Sequence, residues 1–304
     1  MRTLAPDVSA RNESDGVRIH HEVWGEVGSG RDRTVLLLPT WTIVHKRLWK
    51  AQVPYLSRHL RVLTYDGPGN GGSDRPLDPA AYDHDQQVRH AVRVLDASGT
   101  DRAVVVAFSQ GCTWALELAA FHPERVRGVV LIGAAVPLTD GHAVRVAEGD
   151  PSGLPPSRVP LVEQDPDEHW AKYDPGYWRE HHEDFCWFFF GRCFPEPHST
   201  KQVEDCVGWA LETTPEVLAA EALARRPSRE LVEGWCRSLT APVLALHGDE
   251  DLISPPSRGR RIAELTGGEY VELVGSGHVP QARDPVRVNL LVAEFAARCF
   301  AADG

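Results

Sequence analysis

The chain of 304 residues is 42% hydrophobic and 25% charged, the balance of a soluble globular protein long enough to bury a full core in one domain, with or without an insertion. A formal net charge of -11, with no basic cluster denser than RGRR at 258–261, argues against nucleic acid or an anionic membrane as a partner. The six cysteines (Cys112, Cys186, Cys193, Cys206, Cys236 and Cys299) show no C-x-x-C pair, and the fourteen histidines no H-E-x-x-H spacing; scattered buried thiols, no metal and no cofactor are expected.

The first thirty residues hold no apolar run fit for a signal peptide, and no stretch approaches membrane-spanning length, so a cytoplasmic protein with no membrane partner is expected. Strand-length apolar runs then recur at 17–25, 34–40, 60–67, 103–109, 126–134, 241–248 and 269–275. Several are apolar throughout, as strands covered on both faces must be. Helical patterns fill the gaps at 47–59, 83–99, 112–126, 257–268 and 285–300. Alternating strand and helix predicts an α/β fold with a mostly parallel, doubly wound sheet.

One stretch breaks the alternation. From Pro137 to Leu239 no strand pattern appears; a Pro-rich segment at 150–160 precedes helical sequence dense in aromatic residues. Half of the chain's 24 aromatic residues fall here, among them Trp187, Phe188 and Phe189. The pattern predicts a helical cap at 137–239, inserted in a core made of 1–136 and 240–304, whose rings divide between its own core and a cavity beneath it.

The stretch VVVAFSQGCTW at 104–114 reads as a buried strand, an abrupt turn and the start of a helix, with Ser109 at the bend between the small residues Ala107 and Gly111. A serine hydroxyl is a weak nucleophile until a base takes its proton, and the base must be held in one tautomer by an acid. Downstream, the strand at 241–248 runs into DEDLISPP, which puts Asp251 at a strand end, and the last strand is followed by SGH, which puts His278 on a loop. Both loops are expected at the C-terminal edge of the sheet, where open α/β sheets bind ligands.

From about Gly16 to Phe300 the sequence resembles the α/β-hydrolase superfamily. The motifs that carry the resemblance are AFSQG at 107–111, LHGDEDLISPP at 246–256, GSGHVPQARDP at 275–285 and YDGPGNGGSDRP at 65–76. The resemblance implies Ser109 as nucleophile, His278 as general base and Asp251 as orienting acid. It also implies an oxyanion hole built from the backbone N–H groups of Trp41 and Gln110, and a helical cap after the sixth strand of the usual fold. Two departures stand out: Ala107 replaces the usual glycine, and Pro39-Thr40 replaces the usual His-Gly. Thr40, His45, Trp187, Phe188, Phe189 and Val279 are the expected substrate contacts, with His45 more fitted to start a helix than to act as a second base.

A serine at the bend, in place of an aspartate, disfavours dehalogenase and epoxide hydrolase chemistry. The expectation is a serine hydrolase that forms an acyl-enzyme from a small or medium apolar ester or thioester. An acyltransferase or cyclase, a C–C hydrolase and a slow receptor-like member are the alternatives. The expected partner is a small-molecule acyl substrate, and the sequence leaves a homodimer open.

Overall fold

The computed structural model describes residues 4–25, 33–139 and 170–302. Among them, eight strands form one sheet: β1 (Val8–Ser14), β2 (Val17–Trp24), β3 (Thr34–Leu37), β4 (Arg61–Tyr65), β5 (Ala103–Phe108), β6 (Val126–Ile132), β7 (Val243–Gly248) and β8 (Glu269–Leu273). Their order is β1-β2-β4-β3-β5-β6-β7-β8. β2 is antiparallel to both β1 and β4, and every pairing from β4 to β8 is parallel. After β3 the chain passes to β4 on one side and then returns to β5 on the other. That reversal opens a crevice between the C-terminal ends of β3 and β5.

The helices are α1 (Val53–Leu56), α2 (His84–Ala97), α3 (Gly111–Phe121), α4 (Pro175–Cys193), α5 (Thr200–Ala210), α6 (Pro215–Ala222), α7 (Arg229–Ser238), α8 (Ser257–Thr266), α9 (Pro280–Arg283) and α10 (Pro285–Ala301). Because side chains alternate along a strand, each central strand feeds two cores. Val35, Leu37, Val104, Val106 and Ile132 pack with Val288, Val292 and Phe295 of α10. Leu36, Leu38, Val105 and Leu131 pack on the other face with α2, α3, α7 and α8, through residues such as Val94, Leu116, Val232 and Ile262. Among the described residues no helix is long and apolar enough to cross a membrane.

All seven expected strand segments are present, and β1 is an addition. Its sequence VSARNES is an exposed antiparallel edge that buries little, so it carries no apolar run to read. The helix expected over 47–59 is instead a short turn at Lys46–Trp49 followed by α1, where Pro54 in the first turn removes a backbone donor.

The helical stretch after β6 also divides differently from the expectation. α7 lies in the sheet-flanking layer, with Trp235 against His84 of α2 and Phe121 of α3, and so belongs to the core rather than to a segment ending at 239. Helices α4 to α6 extend the α10-side core, and their bonding partners are the loops that follow β3, β4, β5 and β8. The Pro-rich segment at 150–160 lies outside the described residues.

Candidate active site

Ser109 follows β5 with φ at +51°, the left-handed region that a non-glycine residue seldom occupies, at a cost of about 1–3 kcal/mol. Its surroundings enforce the conformation. Its N–H donates to Ile132 O at 2.9 Å, and its carbonyl accepts from Cys112 N and Ala135 N, both at 3.1 Å. Gly111 is required on the far side of the turn, because a Cβ there would lie 2.3 Å from Pro39 O. Ala107, in place of the usual glycine, is fully buried in the second core opposite Leu131, where its methyl is accommodated.

His278 and Asp251 arrive from the two loops predicted for them. His278 Nε2 stands 2.9 Å from Ser109 Oγ, and its Nδ1 is 2.8 Å from Asp251 Oδ2. The loops meet because Gly248, at the end of β7, leaves room: a Cβ there would lie 2.2 Å from Ser276 O. Asp251 is fully buried. Its Oδ1 accepts the N–H groups of Ile253 (2.8 Å) and Ser254 (2.9 Å), and its Oδ2 has a second imidazole, His247 Nε2, at 3.1 Å. Burial pushes the Asp251 pKa up, but the charge of His278 and the hydrogen bonds from His247 and His278 outweigh it and hold the carboxyl well below the usual carboxylate range. An ionised Asp251 makes His278 Nδ1 the protonated nitrogen, which leaves Nε2 free to accept the Ser109 proton.

The loop after β3 passes directly over the turn. Trp41 and Gln110 are placed on either side of the Pro39–Gly111 contact, and neither backbone N–H is committed to an acceptor among the described residues. Thr40 is 7% exposed, and its Oγ1 is buried with no hydrogen-bond partner among the described residues. The loop that carries Thr40 and Trp41 and the turn that carries Gln110 thus meet at the Pro39–Gly111 contact. The Trp41 ring is wedged among Tyr173, Trp178, Phe185 and Phe189, with the last edge-on at 5.1 Å.

The remaining expected contacts divide. Phe189 reaches the Trp41 cluster, and Val279, next to His278, is buried in the same core. Phe188 is partly buried against the same core, edge-on to Trp170 at 5.0 Å. Trp187 is 45% exposed, and its indole N–H donates to Glu183 on its own helix. His45 is the helix-start residue: Nδ1 accepts from Arg47 N at 3.3 Å, its Nε2 is 3.4 Å from Glu212, and burial lowers its pKa. Asp249 accepts the N–H of Gly275 at 2.7 Å, bridging to the histidine loop. Asp140, which follows β6, lies outside the described residues.

Three residues escape a reading by motif. His247 Nε2 faces two acceptors, Asp251 Oδ2 and Ser254 O (2.9 Å), and so carries the proton and donates to the acid. Glu196 Oε1 accepts the N–H of Gly277 at 2.6 Å, and Cys193 O accepts that of His278 at 3.1 Å, so the segment after α4 grips the histidine loop. Glu221 bonds to both sides of the Ser109 crevice. The available signal was a single charge within the apolar run VLAAEALA at 217–224.

Comparison with known proteins agrees with this architecture. Residues 33–285 match the family model described as alpha/beta hydrolase fold. The chain is 32% identical to the 2-hydroxymuconate semialdehyde hydrolase of Pseudomonas sp. (strain CF600) over 268 residues, covering 84% of this chain and 82% of that protein. Among solved structures it resembles the enol-lactonase from Burkholderia xenovorans LB400 (TM-score 0.75, 21% identity, 95% of this chain and 100% of that one). It also resembles an esterase from Exiguobacterium antarcticum (TM-score 0.76, 19% identity, 95% and 100%). The chain therefore belongs to the α/β-hydrolase fold family and is an enzyme of the hydrolase type.

Proposed function

We propose that the protein is a serine hydrolase that cleaves a small or medium apolar ester or thioester through an acyl-enzyme on Ser109. The observation that carries this reading is the continuous hydrogen-bonded chain from Ser109 Oγ through His278 to the buried Asp251. In the reaction, Ser109 Oγ attacks the acyl carbonyl as its proton passes to His278 Nε2, and the carbonyl oxygen becomes an oxyanion facing the N–H groups of Trp41 and Gln110. Each such donor contributes about 3–4 kcal/mol to the barrier reduction. Collapse breaks the bond to the leaving group, which takes the proton from Nε2. Water then repeats the cycle, giving its proton to His278 and releasing the acid. The Thr40 hydroxyl, buried next to Trp41 in the chain and without a hydrogen-bond partner among the described residues, supports a third donor in the same place.

In this reading helices α4 to α6 act as the cap, and the aromatic group around Trp41 favours an apolar acyl part. A second reading, hydrolysis of a C–C bond, is favoured by the similarity to a 2-hydroxymuconate semialdehyde hydrolase along most of both chains. Turnover of a series of p-nitrophenyl esters and acyl thioesters of increasing chain length, set beside a vinylogous 1,5-diketone, separates the two. The ester reading requires the higher kcat/KM on a member of the ester or thioester series.

A further inference from the structure

We infer that Glu221 is a positioning residue for the oxyanion site, holding the loop after β3 and the turn after β5 at a fixed separation. The inference rests on the Ser109 reading above. Glu221 is 1% exposed on α6, within a run of alanines and leucines, where a carboxylate is unfavourable unless its oxygens are bonded. Those bonds go to two distant pieces of chain. Oε2 accepts the backbone N–H of Thr42 at 3.1 Å, and Oε1 accepts from the side-chain Nε2 of Gln110 at 2.7 Å. Arg226 Nη2, 3.6 Å from Oε1, supplies a compensating charge.

The two partners are the neighbours of the two proposed donors. The Thr42 N–H belongs to the peptide that links it to Trp41, so anchoring it fixes the plane next to the Trp41 N–H. The same loop is held from behind, by Asn70 Nδ2 on Thr42 O at 2.9 Å and by Thr42 Oγ1 on Pro68 O at 3.3 Å. On the other side, Gln110 carries the second donor on its own backbone, and its side chain is drawn to the same carboxylate. Donors aimed at an oxyanion act fully only if they are set before the reaction begins. One carboxylate that touches both neighbours sets them relative to each other.

The test uses the full-length protein with Glu221→Ala and Glu221→Gln, a p-nitrophenyl ester, and an aryl boronic acid whose tetrahedral adduct on serine mimics the oxyanion. Glu221→Ala should lower kcat roughly 30- to 100-fold, the scale of a misplacement near 1 Å, and leave KM within about threefold. Boronate affinity should fall in the same proportion as kcat/KM. Glu221→Gln should recover kcat to within about fivefold of wild type, because its amide oxygen still accepts from Thr42 and its NH2 donates to a turned Gln110 amide. Should Glu221→Ala fail to fold, Gln110→Met opens one side of the clamp and must show a loss confined to kcat and boronate binding. The inference is overturned if folded Glu221→Ala or Gln110→Met keeps kcat within about threefold, or loses turnover with boronate affinity unchanged. Absence of both turnover and labelling of Ser109 in the wild type would overturn the Ser109 reading and this inference with it.

Discussion

Asp251 Oδ2 lies 2.8 Å from His278 Nδ1 and belongs to a carboxylate whose other oxygen is occupied by two backbone amides. An acid so placed fixes one tautomer of the base and stabilises the imidazolium that forms. Asp251→Asn should therefore reduce kcat about ten-thousandfold, the cost of the corresponding change in serine proteases. Asp249→Asn weakens a bond to the Gly275 amide and should act mainly on stability. Turnover at saturating substrate, with Tm measured alongside, ranks the two, and a larger kcat loss at Asp249 would show that the acid is misassigned.

The contact between Gly111 and Pro39 gives a second test. With a built Cβ only 2.3 Å from a backbone oxygen, Gly111→Ala must displace either the turn or the loop that carries Trp41. A drop in kcat of about a hundredfold is expected, whereas Ala107→Gly, within β5, should stay within a few-fold. Equal effects of the two changes on turnover would contradict the placement of the loop over the turn.

Three consecutive rings of α4 should behave differently from one another. Phe189→Ala empties a position packed edge-on to Trp41 and should cost about 3 kcal/mol of stability, with turnover reduced as the Trp41 loop loosens. Trp187→Ala, on the solvent side, should stay within about 0.5 kcal/mol and leave turnover unchanged. Phe188, against Trp170, should fall between them. Urea unfolding of the three variants is the measurement, and three equal losses would contradict the orientation of the helix.

Much of this arrangement was legible in the sequence because the chemistry is concentrated in short motifs. Ser109, Asp251 and His278 each follow a strand, and strands buried on both faces announce themselves as apolar runs. The residues that hold those motifs together were not legible. Glu196 and Glu221 act through hydrogen bonds to backbone or side chains far along the chain, and His247 through a bond to Asp251 formed only once the turn after β7 folds back, contacts that no motif spacing encodes. β1 was missed for a related reason: an exposed edge strand is defined by its pairing with β2 and not by its own apolar residues. The helical segment also proved less separable than its composition suggested. Its residues Cys193, Glu196 and Glu221 bond directly to the histidine loop, the loop after β3 and the turn after β5.

Stability should respond to pH through His90, which is buried on α2 with Nδ1 2.7 Å from Ser14 Oγ. Burial, the largest influence, lowers its pKa from 6.5 to about 4. The folded state therefore holds the neutral ring while the unfolded chain takes up a proton below pH 6.5. Its contribution is complete above pH 6.5 and is lost as pH falls towards 4, a change of roughly 3 kcal/mol. Replacing His90 with Gln should flatten the fall in unfolding free energy between pH 6.5 and 4. An unaltered slope would show that His90 does not titrate as the fold requires.

The most direct test of Ser109 as the nucleophile is intact-mass analysis after incubation with a fluorophosphonate, comparing wild type with Ser109→Ala and following p-nitrophenyl ester turnover in the same samples. The account predicts one stoichiometric adduct on wild type that maps to Ser109 and abolishes turnover. It predicts no adduct on the folded Ser109→Ala protein, and turnover at least about a thousandfold below wild type. An adduct that persists in Ser109→Ala, or turnover of that variant within a few-fold of wild type, would contradict it.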